Sequence, residues 1–219
     1  MHVSVNAATS VDGKLSSRRR EQISISGDGD FARVDRLRAE ADAIAVGIGT
    51  VSADDPSLIR HDESHRESVR GSEASSPARI VVDSSCRTPL DSAIVAGDPD
   101  TCVLTSEAAA ESRRTALRNA GVTLIVAGER RVDLPEAFAT LEDRGIHRVM
   151  VEGGGELIFS LFEAELVDEL TVYVGNTVIG GRDAPTLADG EGFVDGFPEL
   201  ELTSVDRLDS GVVLAWDVL

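Results

Sequence analysis

Lysine is almost missing from this chain. Of 219 residues only Lys14 is a lysine; the other 20 basic residues are arginines, set against 39 Asp and Glu for a net charge of -18. Such a surface repels phosphate backbones and anionic headgroups, so neither nucleic acid nor a membrane is an expected partner. So much acid with so little lysine matches chains of salt-loving archaea, where molar salt screens the self-repulsion. Cysteine is scarce too. Cys86 and Cys102 stand too far apart for a C-x-x-C metal or redox pair and read as buried free thiols. No apolar run approaches the roughly 18 residues of a membrane span. The start, Met1-His2-Val3-Ser4-Val5, lacks the basic residues and apolar stretch of a secretion signal, so a cytoplasmic location is expected. His61 and His65 have the i, i+4 spacing of a metal pair, but their neighbours are polar throughout. A solvated loop is favoured there, and no metal is expected.

What is present is an alternation of strand-like and helix-like segments. The pattern predicts strands at 2–8, 43–47, 79–83, 101–105, 122–126, 148–152, 169–174, 200–208 and 212–218. It predicts helices over 29–40, 107–119, 134–144 and 155–163. The first places Phe31, Val34, Leu37 and Ala41 at helical spacing, and Gly121 and Gly145 follow the second and third as stops. This order argues for an α/β fold with a mostly parallel central sheet and flanking helices. The last strands have no helix between them, and Asp209-Ser210-Gly211 reads as a hairpin turn, so antiparallel edge strands are expected at the C-terminal side. No repeat or linker divides the chain, and residues 1–219 read as one domain. Residues 61–77, rich in Ser and Glu, read as a polar surface insertion.

Three stretches follow predicted strands, where open α/β sheets bind ligands. Glu152-Gly153-Gly154-Gly155-Glu156-Leu157 links an apolar strand to an apolar helix. Three glycines exceed what a turn needs, and the helix N-terminus offers free N–H groups to a phosphate. It is not G-x-G-x-x-G, so the usual dinucleotide fingerprint is absent. In Gly47-Ile48-Gly49-Thr50-Val51-Ser52-Ala53-Asp54-Asp55-Pro56, the glycines permit close approach and Thr50 is a candidate cap for a short helix. Asp54 and Asp55 are candidates for sugar hydroxyls. Asp12-Gly13-Lys14 is a turn that carries the sole lysine. No Ser-His-Asp or Cys-His set is evident, which favours chemistry carried by a cofactor, such as hydride transfer.

Residues 6–14 (Asn-Ala-Ala-Thr-Ser-Val-Asp-Gly-Lys), the string Gly49-Thr50-Val51-x-x-Asp54-Asp55-Pro56-x-Leu58, and Val151-Glu152-Gly153-Gly154-Gly155 together resemble the riboflavin-biosynthesis reductase family, in its archaeal form. Arg79-Ile80-Val81-Val82-Asp83-Ser84 and Val178-Ile179-Gly180-Gly181 agree with it. The resemblance implies a dihydrofolate-reductase-like fold, NADPH as donor with NADH as the alternative, and a homodimer. It implies reduction of the ribosylamino side chain of a diaminopyrimidinone 5′-phosphate to the ribitylamino product. By position it assigns Ala8, Thr50, Asp54, Ser84, Gly154, Gly155, Glu156 and Leu157 to the cofactor, and Arg38, Leu58, Arg60 and Glu152 to the substrate. Arg60 would take the 5′-phosphate. Asp12 and Lys14 are candidates for holding the open-chain sugar or relaying a proton. Bacterial relatives carry a zinc deaminase domain first; its H-x-E and P-C-x-x-C signatures do not occur here, so a stand-alone reductase is expected. Three other readings compete: the same reaction on the deaminated pyrimidinedione, a dihydrofolate-reductase-type enzyme gripping its substrate by an acid of the first helix (Asp30, Asp35 or Glu40), and a non-catalytic dinucleotide-binding module.

Overall fold

In the computed structural model, which describes all 219 residues, nine strands form one sheet. They are β1 (His2–Thr9), β2 (Ala43–Gly47), β3 (Ala78–Val82), β4 (Thr101–Thr105), β5 (Thr123–Val126), β6 (Arg148–Gly153), β7 (Glu169–Val174), β8 (Leu200–Leu208) and β9 (Gly211–Val218). Their order across the sheet is β5-β4-β3-β2-β6-β1-β7-β9-β8. The strands from β5 to β7 run parallel; β9 pairs antiparallel with both β7 and β8. Strands covered on both faces should read as unbroken apolar runs, and β2 and β4 are buried at every residue. Alternate residues feed two cores. Val3, Ala45, Ile80 and Leu104 face one core, and Ile44, Val46, Val81 and Val103 the other.

Six helices surround the sheet: α1 (Asp28–Glu40), α2 (Ile48–Asp54), α3 (Glu63–Arg70), α4 (Glu111–Asn119), α5 (Leu134–Asp143) and α6 (Gly155–Glu163). Helices α5 and α6 supply Phe138, Leu141, Ile158 and Leu161 to the first core, while α2 and α4 supply Val51 and Leu117 to the second. None of the six is long and apolar enough to cross a membrane.

His61 and His65, expected in a solvated loop, flank the start of a helix within residues 61–77. That helix, α3, is nearly all polar and packs on α1. Its buried contact is Arg66, whose guanidinium donates to the carbonyls of Ala39, Ala41 and Ser75. Arginine takes the place of an apolar stripe, so apolar periodicity could not report this helix. Thr50 also differs from expectation. It lies inside α2, whose N-cap is Gly47 and has no side-chain cap. Helix α1 is capped across the fold: Asp209, in the β8–β9 turn, accepts from the N–H groups of Gly29 and Asp30 at 3.2 and 3.0 Å.

Candidate active site

A cavity of about 800 Å³ opens at the C-terminal ends of β1, β2, β3 and β6. The position follows from the topology. Parallel strands deliver their loops to one edge, and α2 and α6 start there with uncapped N–H groups. Gly154 precedes α6 at φ 92°, a conformation costly to any residue with a Cβ, and sits against Gly47. Gly155 serves packing: a Cβ there would lie 2.4 Å from the Thr186 carbonyl oxygen. The glycine run therefore has two tasks, an open helix start and a close seat for segment 186–189.

Every residue assigned to a cofactor by resemblance lines this cavity: Ala8, Thr50, Asp54, Ser84, Gly154, Gly155, Glu156 and Leu157. A Cβ at Gly153 would lie 3.4 Å from the Thr50 hydroxyl, so the two glycine-bearing turns meet. Burial raises the Asp54 carboxyl above its usual range.

The substrate assignments divide. Arg38 and Glu152 line the cavity and bind each other, Nε to Oε1 and Nη2 to Oε2, both at 2.6 Å. Burial alone would lower the guanidinium pKa, but the Glu152 pair outweighs it and raises it further. Leu58 and Arg60 do not line the cavity. Leu58 belongs to the second core, and Arg60 is an exposed side chain whose Nε lies 2.7 Å from Asp35. The backbone between them still connects to the site, because Arg38 Nη1 donates to the Arg60 carbonyl at 3.0 Å.

Asp12 and Lys14 likewise stand outside the lining. Asp12 accepts from the Ser10 hydroxyl and from the N–H groups of Ile179 and Gly180. The Ser10 bond and then these N–H groups lower its carboxyl to about 2. Lys14 Nζ donates to the Ala184 carbonyl at 3.1 Å, beside the cavity residues Leu15 and Pro185.

Sequence reading left unassigned a polar group on the same wall. Asn6 Oδ1 accepts from Arg33 at 2.8 Å, and Arg33 also holds buried Asp30, which accepts from Ser26. The Asn6 amide nitrogen has no protein partner, and Asn6 lines the cavity. Asp30 is thus committed to an arginine and a serine rather than free to grip a ligand, unlike the acid that a dihydrofolate-reductase-type site would need. Phe31 and Val34, which helical spacing places on one face of α1, form cavity wall. An asparagine at the end of a strand before two alanines was the available signal for Asn6.

A family model described as the RibD C-terminal domain matches residues 1–214. The chain belongs to the RibD C-terminal domain family. Its relatives include the 2,5-diamino-6-ribosylamino-4(3H)-pyrimidinone 5′-phosphate reductase of Archaeoglobus fulgidus, 43% identical over 96% of this chain and 94% of that one. The protein of the same name from Methanothermobacter thermautotrophicus is 42% identical over 87% and 85%. Among solved structures, a pyrimidine reductase-like protein from Corynebacterium diphtheriae superposes with TM-score 0.84 at 20% identity, covering 100% of this chain and 92% of that one. Acinetobacter baumannii RibD gives 0.79 at 23%, covering 100% and 58%. The dihydrofolate-reductase-like α/β fold expected of a RibD C-terminal domain is the fold observed.

Proposed function

We propose that this chain is an NADPH-dependent reductase of 2,5-diamino-6-ribosylamino-4(3H)-pyrimidinone 5′-phosphate, forming the ribitylamino compound of riboflavin biosynthesis. The observation that carries the reading is the match, over nearly their full length, to archaeal proteins bearing that reductase name. The cavity fits a dinucleotide. Two uncapped helix starts converge on it, and a Cβ at Gly49 would meet no atom within 4 Å, leaving room for a ligand to lie against the backbone. Thr50, Asp54, Ser84 and residues 154–157 would hold it. When bound, NADPH supplies a hydride for the anomeric carbon of the ring-opened substrate imine.

The chain's own residues position and neutralise. The pyrophosphate would rest on the N–H groups that open α6. The Arg38–Glu152 pair makes a rigid polar floor, with carboxylate edges fixed to receive substrate N–H or O–H groups. The free amide of Asn6 would donate to a pyrimidinone or sugar oxygen. Arg20, which lines the cavity with no carboxylate within 4 Å, takes over from Arg60 as the candidate for the 5′-phosphate. Lys14 would exchange the Ala184 carbonyl for the opened sugar and give up a proton there, on the turn that Asp12 anchors. Holding the reacting carbon at the donor supplies the main rate term.

The reading extends to a cytoplasmic, salt-adapted homodimer. Edge strand β8 is exposed, with Leu202 and Val205 open to solvent, a surface suited to a second copy.

Loss of NADPH absorbance in molar potassium chloride tests the activity, with the diamino substrate, its deaminated counterpart and dihydrofolate run in parallel. Turnover with the diamino form alone is expected. Preference for the deaminated form would reverse the order of reduction and deamination. Bound NADPH with no turnover on any of the three would overturn the enzyme reading.

A further inference from the structure

We infer that Arg87, Arg130 and Arg131 form a clamp for the adenosine 2′-phosphate of the cofactor, and so make this chain select NADPH over NADH. The inference rests on the reductase reading above and goes beyond it by naming the residues of selection. All three arginines line the cavity. Arg87 follows β3, and Arg130 and Arg131 follow β5, so they occupy the end of the cavity away from Arg38 and Glu152.

Their place combines with their pairing: they border the cavity and are little neutralised by the chain itself. In a chain with almost twice as many acids as bases, Arg130 and Arg131 have no carboxylate within 4 Å, and Arg87 reaches one only at 4.0 Å. That carboxylate, Asp83, is already engaged by the Thr88 N–H and hydroxyl at 2.7 and 2.8 Å. Two unpaired guanidinium groups and a third paired only at 4.0 Å, in one cavity wall of a -18 protein, suit a dianion from outside.

The scaffold beneath them is tied down. Ser84 Oγ accepts from the Val132 N–H at 3.1 Å, joining the loop after β3 to the loop after β5. The Ser84 carbonyl accepts from the Ser106 hydroxyl at 2.8 Å, joining the loop after β4. Arg113 donates to the carbonyls of Cys86 and Thr88, both at 2.9 Å, and so holds the turn that carries Arg87. Loops held this way leave only the arginine side chains to be ordered at binding.

Position selects the 2′-phosphate over other phosphates. The helix start suited to a pyrophosphate is that of α6, which meets the turn after β2 at Gly47 and Thr50. The arginines stand one to three strands further out, about 5–15 Å at the usual strand spacing. The ribose with its 2′-phosphate and the extended arginine side chains together bridge that span, whereas a substrate seated at Arg38 and Asn6 would extend the other way. Arginine's planar fork suits a phosphate monoester.

Calorimetry in molar potassium chloride with adenosine 2′,5′-bisphosphate and adenosine 5′-monophosphate reads the clamp without turnover. The native chain is expected to bind the bisphosphate at least about tenfold more tightly, and Arg130→Ala/Arg131→Ala and Arg87→Ala to erase most of that margin. The ratio of kcat/KM for NADPH over NADH should fall in parallel, through the KM for NADPH, with Arg131→Lys intermediate. A margin unchanged in these variants, or a native chain that favours NADH, would overturn the clamp. If arginine-dependent bisphosphate binding persists while no pyrimidinone substrate is reduced with either dinucleotide, the clamp stands and the reductase reading falls. All three side chains are exposed, so the variants should unfold at the native temperature; a large drop in any variant would make the lost margin one of fold and count against the clamp.

Discussion

The two ends of the cavity use arginine in opposite ways. At the β6 end Arg38 is locked on Glu152 by two 2.6 Å bonds and makes part of the wall. At the β3–β5 end Arg130 and Arg131 have no carboxylate partner, although the chain abounds in acids. Burial explains the contrast. A guanidinium enclosed among protein atoms must find an opposite charge or a set of carbonyls, as Arg66 and Arg79 do with backbone oxygens. One that borders an open cavity keeps water until an anion replaces it. Pairing, rather than residue type, separates a structural arginine from a binding one.

Breaking the paired end should have the largest effect. Arg38→Ala strands the Glu152 carboxylate; a stability loss on the order of 3 kcal/mol is expected by urea denaturation, with turnover largely abolished. Glu152→Gln keeps the shape and frees the guanidinium, converting this end to resemble the other. It should retain dinucleotide binding while the KM for the pyrimidinone rises. Next comes Gly155→Ala, whose Cβ would strike the Thr186 carbonyl. About 1–3 kcal/mol of overpacking and a weaker cofactor KM are expected, because segment 186–189 must move from the start of α6. Asp209→Ala removes the remote cap of the helix that carries Arg38. About 1 kcal/mol of stability should be lost in thermal unfolding, with little change at the arginine-rich end.

Asp12 gives a pH signature. Its folded-state pKa, about 2, lies below the ordinary 3.8, so its stabilising bonds are fully present above pH 4. They are lost as pH falls from there toward 2. Asp12→Asn should flatten acid unfolding in that window. The smallest effect concerns Cys102, whose thiol burial pushes up to about 11. It should resist alkylation near neutral pH until the chain unfolds.

Strands were the most legible feature, since β2, β4, β7 and β8 run over the expected residues, β3 is shifted by one residue and the others differ by one residue at an end. Their apolar content follows directly from burial on two faces. Four helices were legible from helical spacing and their glycine stops, although α4 begins at Glu111 rather than at 107. Helices α2 and α3 were not: α2 is short, and α3 buries an arginine instead of an apolar stripe. At the site, the residues assigned to the cofactor sit at the end of a strand, as Ala8 does, or in motifs that follow strands, and topology delivers these to one edge. Arg60, Leu58, Asp12 and Lys14 also neighbour motif residues, yet their side chains turn toward Asp35, the second core, the 179–180 turn and Ala184. Adjacency in the chain does not decide the direction of a side chain.

The sequence alone determined the fold class, the strand edge that carries the site, the acid-rich charge and the family. Each is a local or summed property of residue order: apolar period, motif spacing, charge count. Tertiary structure decided the pairings. Arg38 met Glu152 across 114 positions, Asp209 capped a helix about 180 positions away, and Ser84 joined the loop of Val132. Which arginines were neutralised and which stayed free depended on distances of a few ångströms between remote residues. Electrostatic energy is set by those distances and by burial, and neither is written in the order of the chain.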